Sequence, residues 1–465
     1  MEDSSSPASS ALPPNPSFRL ILEETLPLPT TEPTSNSNRF GLVKSISTKE
    51  SRLPSFSDFP ATPALSPSRL SLHTSSSQYY SPPHPFVAAT KISAEFDAAA
   101  NFRCVFSVLK KDGQVLSMSI SNNLVYTGTE SNVIRVWKLP EFIECDQLRA
   151  KAHRAVAMAV SGFNDQVCAA YSDGKVRVWR RMWTGGSVKH AKIATVPSTG
   201  SFVMSYITGK DNMMKHLGPI TSLAINPTGD ILYSASLDTT VKVWRLSDFR
   251  CIETFQAHPQ SVNAIATGPD GVLYTASDDA TIRVWRGHLS SSSSSSSYSS
   301  SLATAHSLIL TLRAKNSPIK TLSLAAGGEV LYGGCTDGYI HFWLRAISSF
   351  STCQLQYCGA LQGHSHAVLC VTSLGRYLVS GSADATVRVW ARETGGQHEC
   401  VAVLLGHRGP VRCVVAYRDR MLVKEEDSLV GGGCTICTGS LDGVLKVWRV
   451  TGVSDRSVQS STRIA

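Results

Sequence analysis

Histidine, serine and aspartate recur together in this chain at similar spacings. Together they can carry nucleophilic acyl chemistry, with imidazole as base, hydroxyl as nucleophile and carboxylate as orienter. The sets are His216, Ser236 and Asp238; His258, Ser277 and Asp279; His364, Ser382 and Asp384; and His407, Ser440 and Asp442. A hydrolase needs one such site, and here the constellation occurs four times. Each set also ends on a tryptophan six residues after its aspartate: Trp244, Trp285, Trp390 and Trp448. Such repetition marks a structural network. A buried imidazole, carboxylate and indole N–H must satisfy one another or incur a large desolvation penalty. A connected set of this kind also fixes the turn that carries it.

A second candidate for chemistry is Cys434-Thr-Ile-Cys437, which has the spacing of a zinc or redox pair. Cys437, however, stands eleven residues before Trp448, the slot held elsewhere by Tyr126, Cys168, Tyr233, Tyr274 and Tyr332. It reads as a core strand position, and no second cysteine pair completes a metal site. No catalytic residue, cofactor or metal site is expected.

The elements that position these residues are visible in the tryptophans. Val-Ile-Arg-Val-Trp137, Val-Arg-Val-Trp179, Val-Lys-Val-Trp244, Ile-Arg-Val-Trp285, Ile-His-Phe-Trp343, Val-Arg-Val-Trp390 and Leu-Lys-Val-Trp448 are nearly one phrase written seven times. The shortest intervals, 42 and 41 residues, suit a four-stranded propeller blade of about 40–45 residues. The longer intervals are a blade plus an insertion. In the sixth copy, short β-branched runs at 368–371, 377–380 and 386–390 are separated by Gly, Asp and Ser turns, the pattern of antiparallel strands.

The histidine, the Ser-x-Asp and the terminal Trp resemble the WD-repeat family over roughly residues 102–450. The wording of the blades looks most like the plant Jingubang-type group. The resemblance implies an all-β fold: a seven-bladed β-propeller of four-stranded antiparallel blades. It also implies that the histidine, Ser/Thr, Asp and Trp of each complete copy form a hydrogen-bonded tetrad. The other copies depart from the pattern. The first has Lys111, Thr129 and Ser131 in the histidine, serine and aspartate slots; the second keeps His153 and Asp173 around Tyr171; the fifth has Lys315 and Cys335 beside Asp337.

A ring of blades must close. Phe249-Arg250-Cys251 opens the outer strand leading to His258, and Phe102-Arg103-Cys104 stands at the same distance before Lys111. Residues 102–109 are therefore expected to be an N-terminal strand that pairs with the strand ending at Trp448 and closes the ring. Residues 1–95 are expected to form a disordered Ser/Pro-rich arm, carrying Ser-Pro and Thr-Pro pairs, and 451–465 a flexible tail. Insertions near 198–214, 290–301 and 420–432 mark where blades differ.

The net charge of +9 resides in the ring. No tryptophan of the seven is followed by Asp; Lys138, Arg180, Arg181, Arg245, Arg286, Arg345, Arg392 and Arg449 lie directly or closely after them. They predict a basic rim on the face opposite the Asp turns, able to steer an acidic or phosphorylated partner. On the Asp-turn face, residues flanking the aspartate or the histidine slot are expected to meet partners: Glu130, Arg154, Gln260, Asp278, His366 and Arg408.

No groove-reading helix, membrane-length apolar run or signal-peptide pattern is found. The expectation is a monomeric, non-enzymatic interaction scaffold or regulatory adaptor in cytoplasm or nucleus, acting in plant signalling or transcriptional control. Two alternatives stay open: a substrate receptor of a cullin-based ubiquitin ligase, and a constitutive subunit of a trafficking or RNA-processing assembly. Ala391, where such a receptor carries an acidic residue, counts against the first.

Overall fold

The computed structural model describes residues 101–109, 112–150, 153–197, 215–289, 304–315, 317–345, 354–393, 396–418 and 434–451. The expected arm, the three insertions, the tail beyond Thr451 and Lys111 lie outside the described residues.

Seven four-stranded antiparallel sheets follow one another along the chain, at 115–149, 155–196, 220–256, 262–313, 319–361, 368–404 and 411–451. They are blades 1 to 7. In blades 1 to 6 the strands succeed each other in chain order from the inner strand to the outer one. The second strand of each blade is flanked within the sheet and covered by neighbouring blades. This is why Leu124–Thr129, Gln166–Tyr171, Val330–Cys335 and Cys434–Ser440 are buried at every position and consist mostly of small, β-branched or aromatic residues. Inner strands such as Ala155–Val160 alternate between buried and half-buried positions, as half-covered strands must, whereas outer strands such as Arg250–Gln256 are partly covered along most of their length.

Blade 7 takes its outer strand from the other end of the ring. Asn101–Leu109 pairs antiparallel with Val444–Thr451, Arg103 opposite Arg449 and Leu109 opposite Val444. The N-terminal strand thus closes the propeller as anticipated, starting one residue earlier. Phe106 on this strand packs 5.6 Å from Phe142 and 6.5 Å from Trp137 of blade 1. The closure is therefore both hydrogen-bonded and apolar.

A register shift occurs beside the repeat tryptophan in all six blades closed by their own outer strand, from Val136/Trp137 to Val389/Trp390. Blade 7 shows the same shift on its borrowed strand, between Cys104 and Phe106. Bulges raise local twist and bend the strand, which here occurs at the same level in every blade. Blades pack face against face through very small residues. A Cβ on Gly381 would stand 2.6 Å from Val411 Cγ1 and 2.7 Å from Cys370 Sγ, and Gly439 meets Val115 and Cys413 in the same way.

Candidate functional site

The networks around the repeat tryptophans come first, because they fix the surface that could bind. In blade 6, Trp390 Nε1 donates to Ser380 Oγ at 2.9 Å, and the same oxygen lies 2.8 Å from His364 Nε2. His364 Nδ1 is 2.9 Å from Asp384 Oδ2. An indole can only donate, so the hydroxyl proton is left for the imidazole, whose own proton then faces the carboxylate. Blades 3, 4 and 7 repeat the arrangement through Ser234, Thr275 and Thr438, each 2.8 Å from the histidine Nε2.

The linking hydroxyl is therefore not the one expected. Ser236, Ser277, Ser382 and Ser440 lie two residues further along the strand and do not touch the indole. Each instead accepts a hydrogen bond from the amide of its blade aspartate, at 3.1–3.2 Å. The physical reason is strand periodicity: residues i and i+2 share a face, and only the deeper of the two reaches His and Trp together. Burial alone would raise the Asp384 carboxyl, but the Thr386 hydroxyl and amide and the His364 ring hold it at about 2. Burial keeps His258, His364 and His407 below the usual imidazole range despite their carboxylates. A triad buried this way has no access for a substrate.

The incomplete blades use other means. In blade 1, Trp137 donates to Thr127 Oγ1 at 2.9 Å, and Arg135 pairs with Asp112 and, at 2.6 Å, with Glu144. In blade 2, Ala169 stands where the hydroxyl would be, and Arg177 grips Asp173 with both terminal nitrogens. In blade 5 that position is Gly333.

A second set of contacts was not legible from the repeat. Tyr126 of blade 1 hydrogen-bonds His190 of blade 2 at 3.0 Å, and His190 Nδ1 reaches back to Asp146 at 2.9 Å. Tyr233, His306 and Glu253 do the same between blades 3 and 4. Tyr332 and His398 join blades 5 and 6 at 2.8 Å. There the carboxylate position is Gly359, and His398 Nδ1 is left buried without a partner. Burial, followed by the Arg392 guanidinium, lowers His398 to about 4.

The expected basic rim is only partly a free surface. Lys138 and Arg180 are exposed. Arg181 does not join the expected rim: it is 2 % exposed, turned inward and paired with Asp165. Three of the other cations find a carboxylate even though the Asp of the family phrase is missing. Arg245 meets Asp248 at 3.5 Å, Arg392 meets Glu329 of blade 5 at 3.5 Å, and Arg345 meets Asp270 of blade 4. These carboxylates come from turns, two of them on the preceding blade. Arg286 and Arg449 are half-buried.

On the Asp-turn face, Glu130 and Arg154 come together across blades 1 and 2, 3.6 Å apart. With Asn132, His153 and Ser172 they line an open depression of about 500 Å³. Asp278 is half-buried and engaged by Lys320 of blade 5 at 2.6 Å and by Asn263 at 2.8 Å, so it bridges blades rather than standing free. Gln260, His366 and Arg408 are exposed. His366 Nδ1 contacts Ser365 Oγ at 3.0 Å, and the Arg408 amide donates to Asp442 at 2.8 Å.

Residues 195–245, 249–286, 355–391 and 398–449 match the family described as WD domain, G-beta repeat. These stretches hold the tryptophans of blades 3, 4, 6 and 7, which are the blades with a complete His–hydroxyl–Trp network. Among curated proteins, the chain is 22% identical over 280 residues to Zinc finger CCCH domain-containing protein 62 of Arabidopsis thaliana, covering 59% of each. It is 23% identical to Autophagy-related protein 16 of Arabidopsis thaliana, over 63% of this chain and 49% of the relative. To human Striatin-3 it is 30% identical, over 44% and 26% respectively. The chain spans less than two thirds of the length of each of these relatives. Four stretches of the chain are thus similar to WD domain, G-beta repeats. Among the described residues, no helix is long and apolar enough to cross a membrane.

Proposed function

We infer that this WD40-repeat propeller is a non-enzymatic protein-interaction scaffold that works as a regulatory adaptor. The observation that carries the reading is the contrast between the two kinds of His–Asp pair. Those of blades 3, 4, 6 and 7 are sealed into the fold. The one at His153 is open: its side chain is 40% exposed, 3.7 Å from Asp173, and it lines the depression with Glu130 and Arg154. The repeat's chemistry is used for rigidity, and the departures from the repeat supply the recognition surface. The depression offers both charge signs and hydrogen-bond donors, which fits a polar peptide segment of a protein partner. Exposed Lys138 and Arg180 on the opposite rim favour a partner with acidic or phosphorylated segments.

Assignment to the plant Jingubang-type group, and with it to signalling or transcriptional control in cytoplasm or nucleus, follows the wording of the blades. The ubiquitin-ligase receptor reading is disfavoured further, because Ala391 is 1 % exposed and lies in the strand rather than on the rim. A constitutive subunit would co-purify stoichiometrically, and an adaptor substoichiometrically and in a signal-dependent way. The test is affinity purification of the full chain, the chain lacking residues 1–90, and a Glu130→Lys, Arg154→Glu double variant, read by mass spectrometry. Loss of specific partners in the double variant supports the depression as the binding surface. An unchanged partner list sinks it.

A further inference from the structure

Blade 5 is where the repeat's polar residues have been exchanged most. Cys335 stands in the serine slot, Gly333 in place of the linking hydroxyl, and His341 in the slot that Arg135, Arg177, Lys242, Arg283, Arg388 and Lys446 fill elsewhere. We propose that Cys335, Asp337 and His341 form a zinc-binding site with its fourth coordination position open to solvent.

The donor atoms of these three side chains lie within 4.8 Å of one another. Cys335 and His341 are fully buried, whereas Asp337 is exposed. His341 Nδ1 is 3.0 Å from the Tyr357 hydroxyl, and its Nε2 is buried without any hydrogen-bond partner. A buried polar nitrogen left unpaired is destabilising, and a metal ion would engage it. Tyr357 already holds the ring by its other nitrogen, the usual way in which a ligating imidazole is oriented. Blade 2 shows what is missing. There Arg177 supplies the positive charge that Asp173 requires. In blade 5 the corresponding side chain is an imidazole, and a bound cation restores the charge.

Thiolate, imidazole and carboxylate together select Zn²⁺ over the hard cations Ca²⁺ and Mg²⁺. Tetrahedral zinc needs donors about 3.3–3.8 Å apart, so binding draws the three donor atoms closer than the 4.8 Å within which they lie. Binding releases the Cys335 thiol proton to solvent. Lys315 reaches over the Tyr339 ring at 5.8 Å and opposes a cation, but it is exposed and can turn outward.

The test uses the full chain, stripped with a chelator and titrated with Co²⁺ as a spectroscopic stand-in. The wild type is expected to show a sulfur-to-cobalt charge-transfer band that Zn²⁺ abolishes. Cys335→Ser and His341→Arg each restore a residue found at the same position in other blades, so the fold should persist, as circular dichroism checks. The first should lose the band, and both should weaken Zn²⁺ binding at least about tenfold. Lys315→Met should strengthen it. An unchanged band in Cys335→Ser assigns the thiolate to another cysteine and overturns the site. Wild-type Zn²⁺ uptake no greater than that of the Cys335→Ser, His341→Arg double variant does the same.

Discussion

Ser380→Ala in blade 6 tests the network reading directly. The Ser380 oxygen is shared by Trp390 Nε1 at 2.9 Å and His364 Nε2 at 2.8 Å, and Trp390 is fully buried. Removing it strands one donor and one acceptor away from water, each worth about 1–3 kcal/mol, so a loss of about 3–4 kcal/mol is expected. Ser382→Ala removes only the acceptor of the Asp384 amide and a donor to the His366 carbonyl. Those groups lie at the Asp-turn surface, beside exposed Ser365 and His366, where water can replace the hydroxyl, and the expected loss is about 1 kcal/mol. Ser380→Thr should be nearly neutral, because Thr275 and Thr438 do this work in blades 4 and 7. Urea unfolding followed by circular dichroism and tryptophan fluorescence gives the ranking. Equal losses for the two alanine variants, or a larger one for Ser382→Ala, would refute the assignment of the linking hydroxyl.

Two further perturbations are informative. The His398 ring titrates near 6.5 when unfolded and at about 4 in the fold, so the unfolded chain binds the extra proton between those values. Stability should therefore fall as pH drops from about 6.5 to 4, by up to about 3 kcal/mol from this group. His398→Gln should flatten that limb in thermal melts recorded across the range, and an identical slope in the variant would count against the assignment. Deleting residues 101–109 should leave the ring open and poorly soluble, whereas deleting 1–85 should leave the melting temperature within a few degrees of the full chain; the reverse order would dismiss Asn101–Leu109 as the closing strand.

The tryptophans, the blade count and the closing strand were all readable, because each is a matter of chain spacing within one repeat. What could not be read fell into two classes. Ser380 and Ser382 share a face, so the sequence could not say which hydroxyl lies deeper. A signal existed nonetheless: Ser or Thr stands ten residues before the tryptophan in five blades, at Thr127, Ser234, Thr275, Ser380 and Thr438. The second class joins blades. Tyr126 and His190 are 64 residues apart and Arg345 and Asp270 are 75, and no local spacing announces such pairs. The cluster in blade 5 was hidden differently. Cys335 and Asp337 occupy repeat slots and His341 belongs to the tryptophan phrase, so the repeat alone accounts for all three.

The borrowed strand of blade 7 also orders events in time. Asn101–Leu109 precedes all seven blades in the chain, yet its partner, Val444–Thr451, follows all but a few of their residues. During synthesis the strand must wait, unpaired, while more than three hundred residues emerge. Blades 1 to 6 can each form locally as they appear, since every one is built from consecutive strands. The last blade cannot, and the most non-local contact of the molecule is made last, against a large loop-closure cost. Until then the ring presents two open sheet edges that invite pairing with another chain. A circular permutant with new ends in the 198–214 insertion, between blades 2 and 3, and with Thr451 joined to Asn101 by a short linker would build every blade from consecutive strands, and it should refold faster than the natural order of the chain allows.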